Sequence, residues 1–317
     1  MKAVTVPGPG GPEVLRVTEV PGPEPGAGEV RVRVYAAGVQ PVDLAIREGF
    51  RPPGMTAEPP FVLGNEFAGV VDRLGPGVDG RRVGDQVLGF RLLGCQAELV
   101  AVDAAQLVAK PAGMPWEQAG ALSASGQTAH LALTLLGVGP GDTVLVHGAA
   151  GGVGTVAVQL ARAWGATVIG TASERNHDYL RELGAVPVTY GEGLVERVRA
   201  VAPQGVDAAF DAAGRGALAA SVELVADRDR IGTVVDYPEA ERLGVRGLQG
   251  AAHGRAAGRA GTAVGGGRAR AGDRRDAAAG EGRGGAPAGR DRPRQGQGGA
   301  HRLMPPGPSG PIVCFGR

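Results

Sequence analysis

The sequence predicts an α/β protein in three parts: a β-rich domain over residues 1–125, a doubly wound parallel sheet over 126–250, and a low-complexity tail over 251–317. Three observations carry that reading. Residues 1 to about 125 alternate polar and apolar side chains between Gly/Pro turns, the period-two signature of short, half-buried strands. From about Trp116 the pattern changes to strands alternating with helices, which pack as a parallel sheet covered on both faces. Over 251–317, 44 of 67 residues are Gly, Ala or Arg, and six are Ile, Leu, Val, Met or Phe. Such a segment cannot bury enough apolar surface to offset the entropy of ordering it, and it is expected to be disordered.

In the first part, residues 28–39 have period two and 66–75 have it in part, while Gly84 and Asp85 mark the turn before another strand. Residues 115–137 read as one helix, stopped by Gly137 and Pro140. A buried strand at 142–147, an apolar-faced helix at 152–164 and a second strand at 166–171 follow. Next come a helix at 177–185, a strand at 186–190 and a helix at 194–202. A strand at 206–214, a helix at 216–225 and a strand at 230–237 complete the alternation.

A chain of 317 residues is long enough for two domains and a sizeable core. Its formal net charge of +1 points to no nucleic-acid, membrane or acidic partner. Met1 leads into an alternating pattern without a signal-peptide core or an apolar run of spanning length, so a cytoplasmic protein is expected. Cys95 and Cys314 lie far apart in unlike contexts, which fits a reducing compartment and no disulfide framework.

The stretch HGAAGGVG, residues 147–154, falls between a predicted strand and a predicted helix. Small residues there let the backbone approach a pyrophosphate, and the helix N-terminus offers N–H groups and the positive end of a dipole. Ala149, Gly151 and Gly154 hold the three fingerprint positions, with Ala150, Gly152 and Val153 between them. All six are candidate dinucleotide-binding residues. The second strand ends in GTASERN, where an Asp or Glu at the tip would hold a ribose 2′-OH. Ser173 and Arg175 could instead accept a 2′-phosphate and favour NADP, while Glu174 argues the other way. Arg175 and Glu174 could equally form the solvated start of a helix.

The order of LGNEFAGVVDRLGPGVDGRRVGDQVLGF, ALSASGQTAHLAL and VLVHGAAGGVGTVAVQLARAWGATVIGTAS resembles the zinc-independent medium-chain dehydrogenase/reductases. The branch it resembles most is that of the NADPH:quinone oxidoreductases, with the enoyl reductases nearby. The resemblance covers residues 1 to about 250. It implies a GroES-like N-terminal domain, a Rossmann domain and an active site in the cleft between them.

Zinc-dependent relatives carry Cys where this chain has Gln40 and His where it has Asn65, and amides are poor zinc ligands. The four-Cys lobe of those enzymes is also missing, so no metal is expected. Gln40 stands in GVQPVD where the branch usually has Asn. Thr128, in SGQTA, matches a Thr near the nicotinamide; its alternative is a helical Thr bonded to its own backbone. Tyr190 matches a position beside the adenosine phosphate, or it is a core aromatic. Asn65 is a candidate site residue or a cap on the turn after Gly64. Cys95 reads as a small buried apolar residue and His147 as a satisfied core histidine.

These residues imply hydride transfer from NADPH to a small-molecule quinone, or to the β-carbon of an activated enone, by positioning and by polar stabilisation of the developing oxyanion. No proton donor stands out, since Phe50 occupies the place where the branch often has Tyr. The alternative is a non-catalytic NADPH-binding protein, or an inactive truncated copy, on the same scaffold.

After Gly250 the family would continue with the last Rossmann strands, which often form a homodimer interface, and a closing strand resembling GKVVLTV. None of this is legible in the tail. One explanation is a genuine basic arm. Another is a change of reading frame near residues 249–255. With one allowed choice of synonymous codons, residues 294–304 shifted by one base read Gly-Lys-Gly-Lys-Val-Val-Leu-Thr-Val followed by a stop. The frame-change reading expects gene sequencing across codons 249–255 to reveal the shift, and a frame-corrected chain to be more soluble and more active than this one. An uninterrupted frame together with a tail peptide in mass spectrometry would sink the sequencing-error form of this explanation.

Overall fold

The structure, a computed structural model, describes residues 1–52, 54–248 and the strand Ile312–Cys314. The remainder of the tail, with the readings made on 249–255 and 294–304, lies outside the described residues.

The N-terminal part runs β1 (Lys2–Val6), β2 (Arg16–Glu19), β3 (Glu29–Gly38), α1 (Pro41–Arg47), β4 (Phe61–Val62), β5 (Glu66–Leu74), β6 (Gln86–Phe90), β7 (Leu99–Asp103) and β8 (Leu107–Ala109). β2, β1 and β4 form a small antiparallel sheet. β3 is the central strand of the larger one, pairing antiparallel with both β5 and β7, and β6 and β8 extend the sheet from β5. The period of two explains its burial. Val30, Val32 and Val34 point into a core with Phe67, Val71, Val87 and Val100. Arg31, on the opposite phase, makes a two-pronged contact with Asp72 at 2.9 and 3.2 Å.

The expected single helix over 115–137 is two helices, α2 (Trp116–Gly120) and α3 (Ser123–Leu135). α2 lies flat on β3, with the Trp116 ring stacked on Tyr35 at 4.8 Å. A Cβ at Gly120 would sit 2.7 Å from the Ala36 carbonyl oxygen, so the helix ends against that backbone. The chain turns at Ala121 (φ −111°, ψ 16°) before α3 begins in a new direction. Tertiary contact broke a pattern that periodicity alone would have continued.

Beyond α3 the chain alternates as expected: β9 (Thr143–His147), α4 (Gly152–Ala163), β10 (Thr167–Ala172), α5 (His177–Glu182), β11 (Val186–Thr189), α6 (Leu194–Val201), β12 (Ala208–Asp211), α7 (Ala217–Leu224), β13 (Ile231–Thr233), α8 (Tyr237–Leu243) and β14 (Arg246–Gly247). All six strands are parallel, in the order β11-β10-β9-β12-β13-β14. This is the doubly wound Rossmann order, with β9 and β12 at the reversal. β9 is buried on both faces: Val144 and Val146 join a core with Leu133, Val156, Leu180 and Phe210, and Leu145 joins one with Ile169, Val198 and Ile231. Arg230, just before β13, reaches back to Asp142 at 3.1 and 2.7 Å and to the Leu136 and Gly137 carbonyls. Among the described residues the sheet thus reaches six strands, with the two-residue strand β14 at its edge.

A last strand, β15 (Ile312–Cys314), pairs antiparallel with β3 across Ala36–Gly38. The sequence reading found no such element after Gly250. Ile, Val and Cys are apolar or β-branched, and β7 pairs with β3 only over Glu29–Arg33, which leaves the far end of that edge available. Among the described residues no helix is long and apolar enough to cross a membrane.

α4 comes close to β9 because Gly154 has no side chain: a Cβ there would stand 2.2 Å from the Gly148 carbonyl oxygen and 2.7 Å from the Ala149 Cα. Gly154→Ala is therefore expected to lower stability by about 1–3 kcal/mol, the usual cost of overpacking, in a urea or thermal melt. Full wild-type stability in the variant would show that α4 can back away from the strand.

Candidate functional site

Doubly wound sheets bind ligands outside the carboxyl ends of their strands, at the point where strand order reverses. A crevice of about 790 Å³ lies there. Its walls come from four strand ends: His147, Gly148, Ala150 and Gly151 after β9, Ser173 and Arg175 after β10, Tyr190 after β11, and Gly214–Gly216 after β12.

The residues of the glycine turn divide between two tasks. Gly148 adopts φ 69°, and its N–H donates to Thr171 Oγ1 at 3.2 Å. Ala150 and Gly151 line the crevice beside the first turn of α4. Ala149 is fully buried in the core, and Gly154 packs the helix on the strand, so these two shape the turn from behind. Gly152 and Val153, both half-buried, do not line the crevice.

Ser173 and Arg175 both line the crevice at the tip of β10. Ser173 Oγ accepts from Asn176 Nδ2 at 3.2 Å, and Arg175 has no protein partner among the described residues. Tyr190 is 56% exposed on the crevice wall, which rules out the core-aromatic alternative. His147 is buried, with Nε2 2.9 Å from Ser221 Oγ, and burial pushes it down to about 4 even though Asp211 acts in the opposite direction. It is a neutral, satisfied histidine that also borders the crevice.

Sequence reasoning missed the loop after β12. Asp211, fully buried, accepts from Ala213 N, Gly214 N and Thr233 Oγ1, each at 2.8 Å. Three consecutive residues of this loop, Gly214, Arg215 and Gly216, all have positive φ, of 67°, 58° and 80°. Arg215 is the described non-glycine residue in that region, and its side chain borders the crevice. The available signal was GRG two residues beyond a strand ending in Asp.

Of the candidate catalytic residues, Gln40 belongs to a second cluster that is not part of the crevice lining. Gln40 caps α1, its N–H donating to Asp43 Oδ2 at 2.8 Å. Gln40 Nε2 donates to Glu66 Oε1 and lies 3.3 Å from Ser125 Oγ on α3. Glu66 Oε2 accepts the Ala124 N–H at 2.7 Å. A Cβ on Gly152 would be 3.0 Å from Ser125 Oγ, so this cluster reaches the first turn of α4.

Thr128 lies one turn further along α3 and donates its hydroxyl to the Ala124 carbonyl at 2.8 Å, the back-bonded alternative. Asn65 is 8% exposed, and its Oδ1 has no partner among the described residues, so it does not cap the turn after Gly64. An orphaned buried acceptor of that kind is a place for a ligand donor. Cys95 is fully buried, and burial pushes its thiol pKa up, which makes it a core residue.

Glu66 was also missed. It is fully buried, and burial pushes it up to about 7, opposed by its hydrogen bonds from Gln40 and Ala124 and reinforced by Asp43. The signal was a carboxylate on the inward phase at the start of an apolar strand. Among the described residues no group of three or more His, Cys, Asp or Glu is placed to hold a metal ion.

Residues 26–112 match the family model of the alcohol dehydrogenase GroES-like domain, and residues 152–238 that of the zinc-binding dehydrogenase. A 2-haloacrylate reductase of Burkholderia sp is 36% identical over 256 residues, covering 75% of this chain and 76% of that protein. The quinone oxidoreductase from Coxiella burnetii superposes with a TM-score of 0.67 at 34% identity, covering 77% of this chain and 78% of the other. Mycobacterial Rv1454c complexed with NADPH gives 0.67 at 33% identity, with 77% and 79% covered. The match to the synaptic vesicle membrane protein VAT-1 homolog of Rattus norvegicus, at 37% identity, spans 60% of that relative's length.

Proposed function

The chain belongs to the medium-chain dehydrogenase/reductase family, and on that footing we propose that it transfers hydride from NADPH to a quinone or an activated enone, without zinc, in a cytoplasmic setting. The observation that carries the cofactor half of this reading is the crevice. It joins the α4 N-terminus, a site for a diphosphate, to Ser173 and Arg175 at the tip of β10, and Arg175 has no partner among the described residues. Arg175 is suited to a 2′-phosphate, because a guanidinium pairs with phosphate oxygens through two parallel N–H bonds. Tyr190, on the neighbouring wall, offers an exposed ring beside the adenosine end.

NADPH, when bound, supplies the hydride. The chain's own contribution is positional. The α4 N-terminus holds the diphosphate, and the Gln40–Ser125 pair borders that helix's first turn. Gln40 and Asn65 supply amides where a metal-dependent relative would need good ligands, and they suit hydrogen bonding to a carbonyl or a carboxamide better than they suit zinc. Thr128 Oγ1, one turn along α3, retains acceptor capacity while its proton serves Ala124. The relatives named as quinone oxidoreductase and 2-haloacrylate reductase support an electron-poor double bond or quinone as acceptor.

The direct assay is NADPH oxidation across a panel of quinones and enones, with turnover expected for at least one class. Cofactor binding with no turnover on any of them would favour the non-catalytic alternative. Arg175→Ala is expected to weaken NADPH binding roughly 10- to 100-fold, the size of a lost charged hydrogen bond, and to leave NADH binding nearly unchanged. Equal losses for the two cofactors in a fluorescence titration would remove the 2′-phosphate assignment.

A further inference from the structure

The partners of Glu66 impose a condition that its burial opposes. Both carboxylate oxygens accept from donors: Oε2 from the Ala124 N–H at 2.7 Å, and Oε1 from Gln40 Nε2. An ionised carboxylate satisfies both donors. A proton on Oε1 would point at the Gln40 NH₂ group and put two hydrogens face to face. The Ala124 N–H belongs to the α3 backbone and cannot turn. The Gln40 amide can, because a half-turn about its last torsion exchanges Nε2 for Oε1 with little change in shape.

We propose that Glu66 is a positioning residue whose ionisation sets which end of the Gln40 amide is turned toward it and which end is left for a ligand. With Glu66 ionised, Nε2 is committed to Glu66 and Ser125, and the acceptor end, Oε1, is turned away from Glu66 on the side of the α1 cap. With Glu66 protonated by solvent, its O–H donates to Gln40 Oε1, and the NH₂ becomes the free end, a donor. A hydride acceptor's carbonyl needs a donor and a carboxamide N–H needs an acceptor, so the two states favour different ligand groups.

Asp43, itself pushed up by burial, is a charged group that bears on Glu66. Asp43, on α1, accepts Gln40 N at 2.8 Å and Gly64 N at 3.2 Å, and its like charge pushes Glu66 upward. Cys95, packed from the loop before β7, is fully buried and stays neutral because burial pushes its thiol up. β3 and α3 bring Gly38 and Ala124 against the carboxylate, neither of which titrates. Burial holds Glu66 up at about 7, near neutral pH. Its protonated form therefore adds stability fully below the ordinary value of 4.5, and that contribution is lost as pH rises through 7.

The catalytic consequence rests on the reductase reading; the amide switch does not. The test follows the Gln40 side-chain amide by ¹H–¹⁵N NMR, and the Glu66 carboxyl by ¹³C NMR, from pH 5 to 9. Both signals are expected to move with one midpoint, and in Glu66→Gln the Gln40 signal is expected to stand still. A Gln40 amide that is indifferent to Glu66 titration, or that still moves in Glu66→Gln, overturns the proposal. If Glu66→Gln fails to fold, Gln40→Ala serves instead: losing a donor should raise the Glu66 midpoint, and an unchanged midpoint overturns the idea. In an active enzyme kcat/KM should step by roughly tenfold across the same midpoint, the size of one hydrogen bond, and the step should vanish in Glu66→Gln. A chain that oxidises no NADPH yet shows the coupled titration sinks the reductase reading and supports the switch.

Discussion

The contact between α4 and the end of β9 is the constraint on which the rest of this structure hangs. The Gly148 carbonyl lies where any side chain at position 154 would have to go. Only because that side chain is absent can the helix start directly at the strand's carboxyl end and bring its N–H groups to the reversal point of the sheet. The crevice follows from that placement, since the loops after β10, β11 and β12 must pass around the helix start. Ser173, Arg175, Tyr190 and Arg215 are brought to one opening by strand order rather than by proximity in the chain.

A second constraint links the two sheets. Glu66 begins β5 in the first sheet and accepts the N–H of Ala124 at the start of α3, which packs on α4. Gln40 adds a contact from α1 to Ser125. One buried carboxylate thus holds the α1 cap and the start of α3 in register with the first turn of α4. A buried charge is costly unless its hydrogen bonds are filled, and filling them fixes the geometry of the groups that donate. That is why the amide at position 40 has a defined orientation despite being the end of a flexible side chain.

The loop after β12 shows the same economy on the other wall of the crevice. Asp211 takes three hydrogen bonds at the end of a buried strand, and the backbone it pins passes through three residues of positive φ. Two of these are glycines and bear no steric penalty; Arg215 does bear one. An arginine held in that conformation has its backbone fixed where it borders the crevice.

The sequence by itself determined the class of each half, the alternation of elements from β9 to β13, and the glycine turn with its Ser and Arg at the next strand tip. These are local in their causes: period, turn residues and caps act over a few positions, so a window of sequence contains the physics. It did not determine that 115–137 would break into α2 and α3, because the break comes from the Ala36 backbone some eighty residues earlier. It did not place Ile312–Cys314 on the edge of β3, where a partner distant in sequence supplies the hydrogen bonds. Nor did it reveal Glu66, whose partners come from two other elements and whose protonation depends on burial that only the assembled sheets create. Close approach and desolvation belong to pairs of segments far apart in the chain, so tertiary structure alone decided them.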